Sequence, residues 1–269
     1  MDTREQEDIF LEKDQPLRAD VGLLGTILGE VLKEQSGEAL FERVERARTF
    51  AIAHRKGAPG AAGQLAELVA DLEPHVAVEL TRAFSAYFGL VNLAERIHRI
   101  RRVRSYLTDE SAPQDGSVSR VIQDLRDRGV SLKTIQGRLE SMRVVPVFTA
   151  HPTEVVHGSL LVKEQRMARA LVDRIDPGVL LPLEERSALA RIHAEISAAW
   201  QTEEHFEVRP SVRDEVDHVA FYLTNVIYRV IPAFYRSVGR AVRHAYGRDK
   251  APKFSASMLR FGSWVGGDM

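Results

Sequence analysis

Residues 144–154 read VVPVFTAHPTE, and this stretch decides the fold class. Its first five residues, Val144–Phe148, are almost all apolar and rich in β-branched side chains, which predicts a strand buried on both faces, as in a parallel sheet or barrel. The chain then turns polar. Because Pro152 disfavours helical geometry at the residue before it, we predict that His151 lies in extended chain at the carboxyl end of this strand.

A second stretch, MLRFGSWVGGDM at residues 258–269, has the same arrangement. Met258–Phe261 predicts another buried strand, and a turn through Gly266, Gly267 and Asp268 follows it. Glycines after a strand let a ligand approach the backbone closely, and Asp268 is suited to bind a metal or to orient a base. The same tripeptide is also an ordinary turn. Trp264 either walls a pocket or belongs to the core.

The rest of the chain shows helical periodicity. We predict helices at residues 20–33, 40–47, 64–72, 76–106, 118–128, 131–142, 160–171, 183–204 and 212–246. Asp20 and Ser131 are predicted to cap two of them, and Pro232 to kink the last. The sequence therefore predicts a mostly α protein: a helical region at 1–142, then a region at 143–269 that holds the first one or two strands of something larger.

Composition narrows the class of protein but not its function. The chain has 269 residues, 37 Lys plus Arg against 38 Asp plus Glu, and no cysteine. The balanced charge argues against a partner that is a nucleic acid, and the absent cysteines exclude disulfides and are compatible with a reducing cytosol. No apolar run approaches the ~20 residues that a membrane span needs, and residues 1–18 do not form a secretory signal. We expect a cytoplasmic globular protein with no membrane partner.

His151 is the leading candidate for catalysis. Barrels place their catalytic groups at the carboxyl ends of strands, and imidazole transfers protons near neutral pH. The alternative is a structural histidine bonded to a loop. Thr153 and Glu154 either orient the imidazole or cap the following helix. The basic run at residues 98–104 is interpreted as a solvated or intersubunit face, and the histidine spacings of common metal sites are absent.

Several segments together resemble one family, the phosphoenolpyruvate carboxylases. They are TAHPTE at 149–154, FGSWVGGD at 261–268, LRADVGLLG at 17–25, LGE at 28–30, AFS at 83–85, NLAE at 92–95, WQTEE at 200–204, RPS at 209–211 and DE at 214–215. The resemblance runs from about Leu17 to the last residue and is to the amino-terminal portion of the family. Residues 1–18 lack the serine of the plant type, which favours a bacterial-type enzyme.

The resemblance implies an eight-stranded α/β barrel surrounded by helices, usually in a homotetramer. It implies Mg²⁺ or Mn²⁺ as cofactor, with ligands beyond Met269, and the conversion of phosphoenolpyruvate and bicarbonate to oxaloacetate and phosphate through carboxyphosphate. This anaplerotic carbon fixation feeds the tricarboxylic acid cycle. By the same resemblance, His151 is the catalytic histidine and Trp264 borders the pocket that holds bicarbonate or CO₂.

The chain departs from the family pattern at three points. His157 and Gly158 stand where the family has a basic pair, Met269 stands where it commonly has Arg, and the family protein is several times longer. We therefore expect the isolated chain to be inactive. The rival hypothesis is a non-catalytic helical interaction module derived from the family.

Overall fold

The computed structural model describes residues 12–108, 113–149, 158–175, 180–202, 211–247 and 258–265. The described helices, in chain order, are α1 (Gln15–Ser36), α2 (Glu38–Arg55), α3 (Ala61–Ala70), α4 (Pro74–Leu107), α5 (Val118–Asp127), α6 (Leu132–Ser141), α7 (Gly158–Asp173), α8 (Pro182–Trp200), α9 (Val212–Tyr222) and α10 (Tyr228–Tyr246). The two strands are β1 (Val147–Phe148) and β2 (Gly262–Ser263). The prediction of a mostly α chain with two short strands is confirmed for these residues.

The chain divides into two compact units that alternate along the sequence. The first consists of Met1–Arg102 and Ser159–Glu203, and the second of Val103–Gly158 and Glu204–Met269. The predicted boundary between residues 142 and 143 stays a prediction.

Helices α1, α4, α7 and α8 supply the core of the first unit. On α1 the buried residues recur at helical spacing, with Leu24, Leu28 and Val31 almost fully enclosed. Ile97 of α4 and Ile192 of α8 belong to the same apolar cluster. The amphipathic stripe predicted for α1 is thus the face that drives packing, since each fully buried aliphatic side chain contributes about 1.5–3 kcal/mol.

The start of α1 corrects one prediction. Asp20 was predicted to cap a helix, but α1 begins five residues earlier, at Gln15, with Pro16 in its first turn. Proline suits that position because its fixed φ is helical and its missing N–H would have no helical partner there. Asp20 instead accepts a 2.7 Å hydrogen bond from the Arg101 guanidinium of α4, and both side chains are largely buried.

Helices α5, α6 and α10 build the core of the second unit. Its centre contains Ile122, Ile135, Leu139 and Val242, one or two from each helix. The predicted cap of α6 is confirmed, because the Ser131 side chain accepts a hydrogen bond from the Thr134 backbone N–H over 3.2 Å.

The predicted helix at 212–246 is interrupted. A π-helical turn at Leu223–Ile227 separates α9 from α10, and the Tyr228 N–H bonds back to the Leu223 carbonyl. Pro232 lies inside α10, where it donates no hydrogen bond and crowds the carbonyl four residues earlier. The predicted irregularity is present, but the departure from α geometry lies before Pro232 rather than at it.

Candidate functional site

The two strands pair in parallel, as the β-branched composition of the first had predicted. Val147 is opposite Gly262, and Phe148 is opposite Ser263. An isolated bridge between Val144 and Leu259 extends the same pairing towards the amino ends. Since parallel strands point the same way, their carboxyl ends meet at one edge of the sheet.

Backbone hydrogen bonds hold this register over its whole length. The Val144 N–H donates to the Met258 carbonyl over 2.8 Å, and the Arg260 N–H donates to the Val144 carbonyl over 3.0 Å. At the carboxyl end, the Trp264 N–H donates to the Phe148 carbonyl over 2.9 Å. Residues 144–148 and 258–264 are therefore held in one parallel register.

The surroundings of the strands correct the prediction that they are buried on both faces. Val145 is 51% exposed and Val147 is 46% exposed. Within the described residues the sheet consists of these two strands alone, and both valines keep about half of their surface exposed. The aromatic rings of Phe148 and Phe261 lie beside each other, with their centroids 6.5 Å apart.

Trp264 is the one predicted site residue that the structure describes. It follows β2 directly, and 55% of its surface is exposed. The alternative of a core tryptophan is therefore wrong for the described structure. An exposed indole at the carboxyl edge of the pair is compatible with a pocket wall, although the described neighbours do not close one around it.

The remaining predicted site residues lie outside the described residues. They are His151, Thr153, Glu154, Gly266, Gly267 and Asp268. Their sequence positions are nevertheless informative: His151 comes three residues after Phe148, and Gly266 comes three residues after Ser263. Both motifs thus follow the paired strands at matching offsets.

The basic run on α4 is only partly a solvated face, which corrects the sequence interpretation. His98 is buried, with its Nε2 3.4 Å from the Asp14 carboxylate. Arg101 faces inward as well, bound to Asp20, whereas Arg99 and Arg104 are exposed. These inward contacts tie α4 to the start of α1.

Two described titratable groups on α9 have pKa values that depart from the ordinary range. Burial lowers the pKa of the His218 imidazole. Hydrogen bonds from the Ser211 side chain and backbone lower the pKa of the Asp214 carboxyl, where they form a capping box. Both shifts have local structural causes: burial at His218 and the capping box at Asp214.

The described residues hold neither a cluster of metal ligands nor a membrane-spanning helix. That part of the chain contains no group of three or more His, Asp or Glu side chains able to hold a metal ion. Nor does it contain a helix both long and apolar enough to span a bilayer.

One well-formed contact could not be predicted from the sequence. The Arg82 guanidinium of α4 lies over the Trp200 ring, 4.6 Å from the centroid, and donates to the Trp200 carbonyl as well as to the Thr202 carbonyl over 3.1 Å. The helical periodicity of α4 does not predict these contacts of Arg82, because its partners lie more than a hundred residues away in the sequence.

Comparison with known proteins gives a consistent result. The family model described as phosphoenolpyruvate carboxylase matches residues 17–269. A phosphoenolpyruvate carboxylase from Xanthomonas campestris pv. campestris (strain 8004) is 45% identical over 263 residues, which are 97% of this chain and 28% of the relative. The enzyme of the same name from Nitrosomonas eutropha is 36% identical over 265 residues, which are 98% of this chain and 28% of that relative.

The chain thus spans just over a quarter of the length of these curated relatives, 28% in both cases. The match covers nearly all of the chain, including both strand segments and the helical segments whose resemblance was noted above. The chain belongs to the phosphoenolpyruvate carboxylase family.

Proposed function

We propose that this chain is part of a bacterial-type phosphoenolpyruvate carboxylase and that its parallel strand pair is the beginning of that enzyme's α/β barrel. The observation that carries the proposal is the parallel register of β1 and β2, because the HPTE and GGD motifs each follow one of these strands in the sequence. The carboxyl edge of a barrel sheet is where this architecture builds active sites.

Covalent geometry limits how far the motifs can lie from this edge. An extended residue spans at most about 3.6 Å, so three residues bring the His151 Cα no farther than about 11 Å from the Phe148 Cα. Gly266 is two residues from Trp264, whose N–H is bonded to Phe148. Covalent geometry therefore keeps each motif close to the end of its strand.

The proposed reaction has two stages. A bicarbonate oxygen attacks the phosphorus of phosphoenolpyruvate, the phosphorus–enol oxygen bond breaks, and carboxyphosphate and the enolate of pyruvate form. Carboxyphosphate then breaks down to CO₂ and phosphate, and the enolate carbon attacks CO₂ to give oxaloacetate.

His151 assists the breakdown of carboxyphosphate, by accepting its proton or by stabilising the charge that develops. Thr153 and Glu154 support the imidazole. Trp264 and the backbone at Gly266, Gly267 and Asp268 border the space for bicarbonate or CO₂, where an apolar wall keeps water away from the enolate.

The cofactor of the proposed enzyme is Mg²⁺ or Mn²⁺, which supplies charge stabilisation for the anionic substrate. The described residues do not fit such an ion, since they contain no suitable group of ligands. As the resemblance implies, we expect the metal ligands in the rest of a longer enzyme and a cytoplasmic homotetramer as its assembly.

The test uses two proteins in a coupled assay for oxaloacetate with phosphoenolpyruvate, bicarbonate and Mg²⁺. The 269-residue chain alone is expected to give no turnover, because a histidine cannot replace missing metal ligands and phosphate-binding groups. A chimera, in which this chain replaces the matching portion of the Xanthomonas campestris relative, is expected to be active. A folded but inactive chimera would instead support the rival function, a non-catalytic helical module.

A further inference from the structure

The first unit contains a cavity far in sequence from both strand motifs. Its volume is about 470 Å³, and residues of α1, α2 and α4 line it. Small-molecule sites commonly have volumes of about 300–1,000 Å³, with apolar and aromatic linings and a few polar groups. The size and position of this cavity therefore suit a ligand that occupies the first unit alone.

The walls of the cavity are aromatic and aliphatic. Phe41, Phe84 and Tyr87 are its aromatic residues, and Leu28 and Leu32 of the core also line it. This lining is typical of a site for a flat apolar ring, which gains from contact with aromatic faces and edges.

Two glycines of α1 make room for the aromatic walls. A Cβ at position 29 would come within 2.9 Å of the Phe41 ring, and one at position 25 would contact the Tyr87 ring at 3.5 Å. The Phe41 ring is further held by the Lys33 ammonium, 4.1 Å from its centroid. Contacts within the chain thus hold the Phe41 ring without a ligand, which lowers the entropic cost of binding.

The charged residues at the rim of the cavity indicate whether it favours an anionic or a cationic ligand. Lys33 is paired with Glu38 at 2.9 Å. The Arg48 guanidinium makes two hydrogen bonds to the Glu45 carboxylate, of 2.9 and 2.7 Å, and this pairing raises the pKa of Arg48. Both cations are therefore already neutralised by carboxylates. An anion such as phosphoenolpyruvate or bicarbonate would find no free positive charge here.

Glu30 is the exception among the charged rim residues. It lines the cavity, is exposed, and has no hydrogen bond or ion pair within the part of the chain that the structure describes. Its carboxylate leaves the rim with a negative charge available to a ligand. Charge complementarity accordingly favours a cationic group beside the ring.

We propose that this cavity binds a small aromatic amine, with the ring among Phe41, Phe84 and Tyr87 and the ammonium group paired with Glu30. The proposal does not depend on the carboxylase function proposed above.

Three probes with one ring system and different charges test the proposal: tryptamine, indole and indole-3-acetate. Their dissociation constants for the 269-residue chain are measured by ligand-observed NMR or calorimetry. Tryptamine is expected to bind most tightly and indole-3-acetate most weakly. Glu30→Gln should raise the dissociation constant of tryptamine about three- to fivefold, which is the range of an exposed ion pair. The dissociation constant of indole should not change. The control Glu42→Gln, an exposed carboxylate outside the cavity, should change neither.

A matched pair of glycine variants tests the location. Gly22 lines the cavity, whereas Gly89 does not, and a Cβ added at either would meet no atom within 4 Å. Both positions are helical, so Gly→Leu should not destabilise either variant. Gly22→Leu should raise the dissociation constant of every probe that binds by at least tenfold. Gly89→Leu should leave these dissociation constants unchanged. Indole-3-acetate binding as tightly as tryptamine, no binding of any probe, or unchanged binding to Gly22→Leu would overturn the proposal.

Discussion

The guanidinium of Arg82 lies over the indole of Trp200 and bonds to the carbonyl oxygen of that same residue. The indole N–H of Trp200 in turn donates to the Ser36 hydroxyl over 3.2 Å. A cation on α4 thus satisfies carbonyls at the end of α8, which have no helical partner of their own. This contact joins α1, α4 and α8 at a single residue.

Replacing Arg82 by Ala is expected to lower the free energy of unfolding by about 2 kcal/mol. The variant loses a cation–π contact and charged hydrogen bonds to carbonyls. Arg82→Lys should be intermediate, since an ammonium keeps the charge but lacks the planar fork. The measurement is urea unfolding in a Trp264→Phe background, where Trp200 is the only remaining tryptophan.

Arg46 provides the control for that experiment. It is exposed on α2, and Arg46→Ala should change stability by no more than about 0.5 kcal/mol. Equal stabilities of the Arg82→Ala and Arg46→Ala proteins would show that the Trp200 contact contributes nothing measurable.

A matched pair of leucines tests where the core of the first unit lies. Leu93 on α4 is 2% exposed, and Leu183 on α8 is 67% exposed. Leu93→Ala should cost about 2–5 kcal/mol because it removes buried methyl groups and leaves a cavity, whereas Leu183→Ala should cost about 0.5 kcal/mol or less. Chemical denaturation of both variants checks the difference. Similar losses would mean that the packing described for α4 is incorrect.

His218 predicts a pH dependence of stability. Burial lowers its pKa in the folded chain below the unfolded value of about 6.5. Between these two pKa values the unfolded chain binds more protons, so stability rises with pH and is lost as pH falls below about 6.5. NMR titration of the ring should give a lower midpoint in the folded protein than in concentrated urea.

The His218→Gln variant isolates this contribution from those of other histidines. Its stability should fall less than that of the unsubstituted chain as the pH is lowered through this window. A folded midpoint equal to or above the unfolded one would contradict the assigned effect of burial.

The helices could be predicted from sequence because their signals are local. The apolar spacing of α1 and the Ser131 cap each depend on residues a few positions apart, and both were predicted correctly. Asp20 was misassigned because its partner, Arg101, lies 81 residues away. An aspartate at this position can either cap a helix or form a long-range ion pair. The spacing of the neighbouring residues does not show which of the two it does.

The strand pair and the site show the same limit. The β-branched composition of Val144–Phe148 indicated parallel pairing, but burial depends on neighbours that no local pattern specifies, and Val147 proved half exposed. The site motifs were found by their position after strands and by resemblance. The Arg82–Trp200 contact and the cavity beside Phe41 arise from tertiary packing, so only the structure identified them.

The most direct test of the central claim is the ratio of the two products formed by the His151→Asn chimera. Phosphate and oxaloacetate are measured in the same reaction, with His75→Asn, an exposed histidine on α4, as control. If His151 acts on carboxyphosphate, the variant should release some phosphate while oxaloacetate formation is lost, and the control should form both products equally. Equal amounts of both products at the unsubstituted rate would remove His151 from the mechanism.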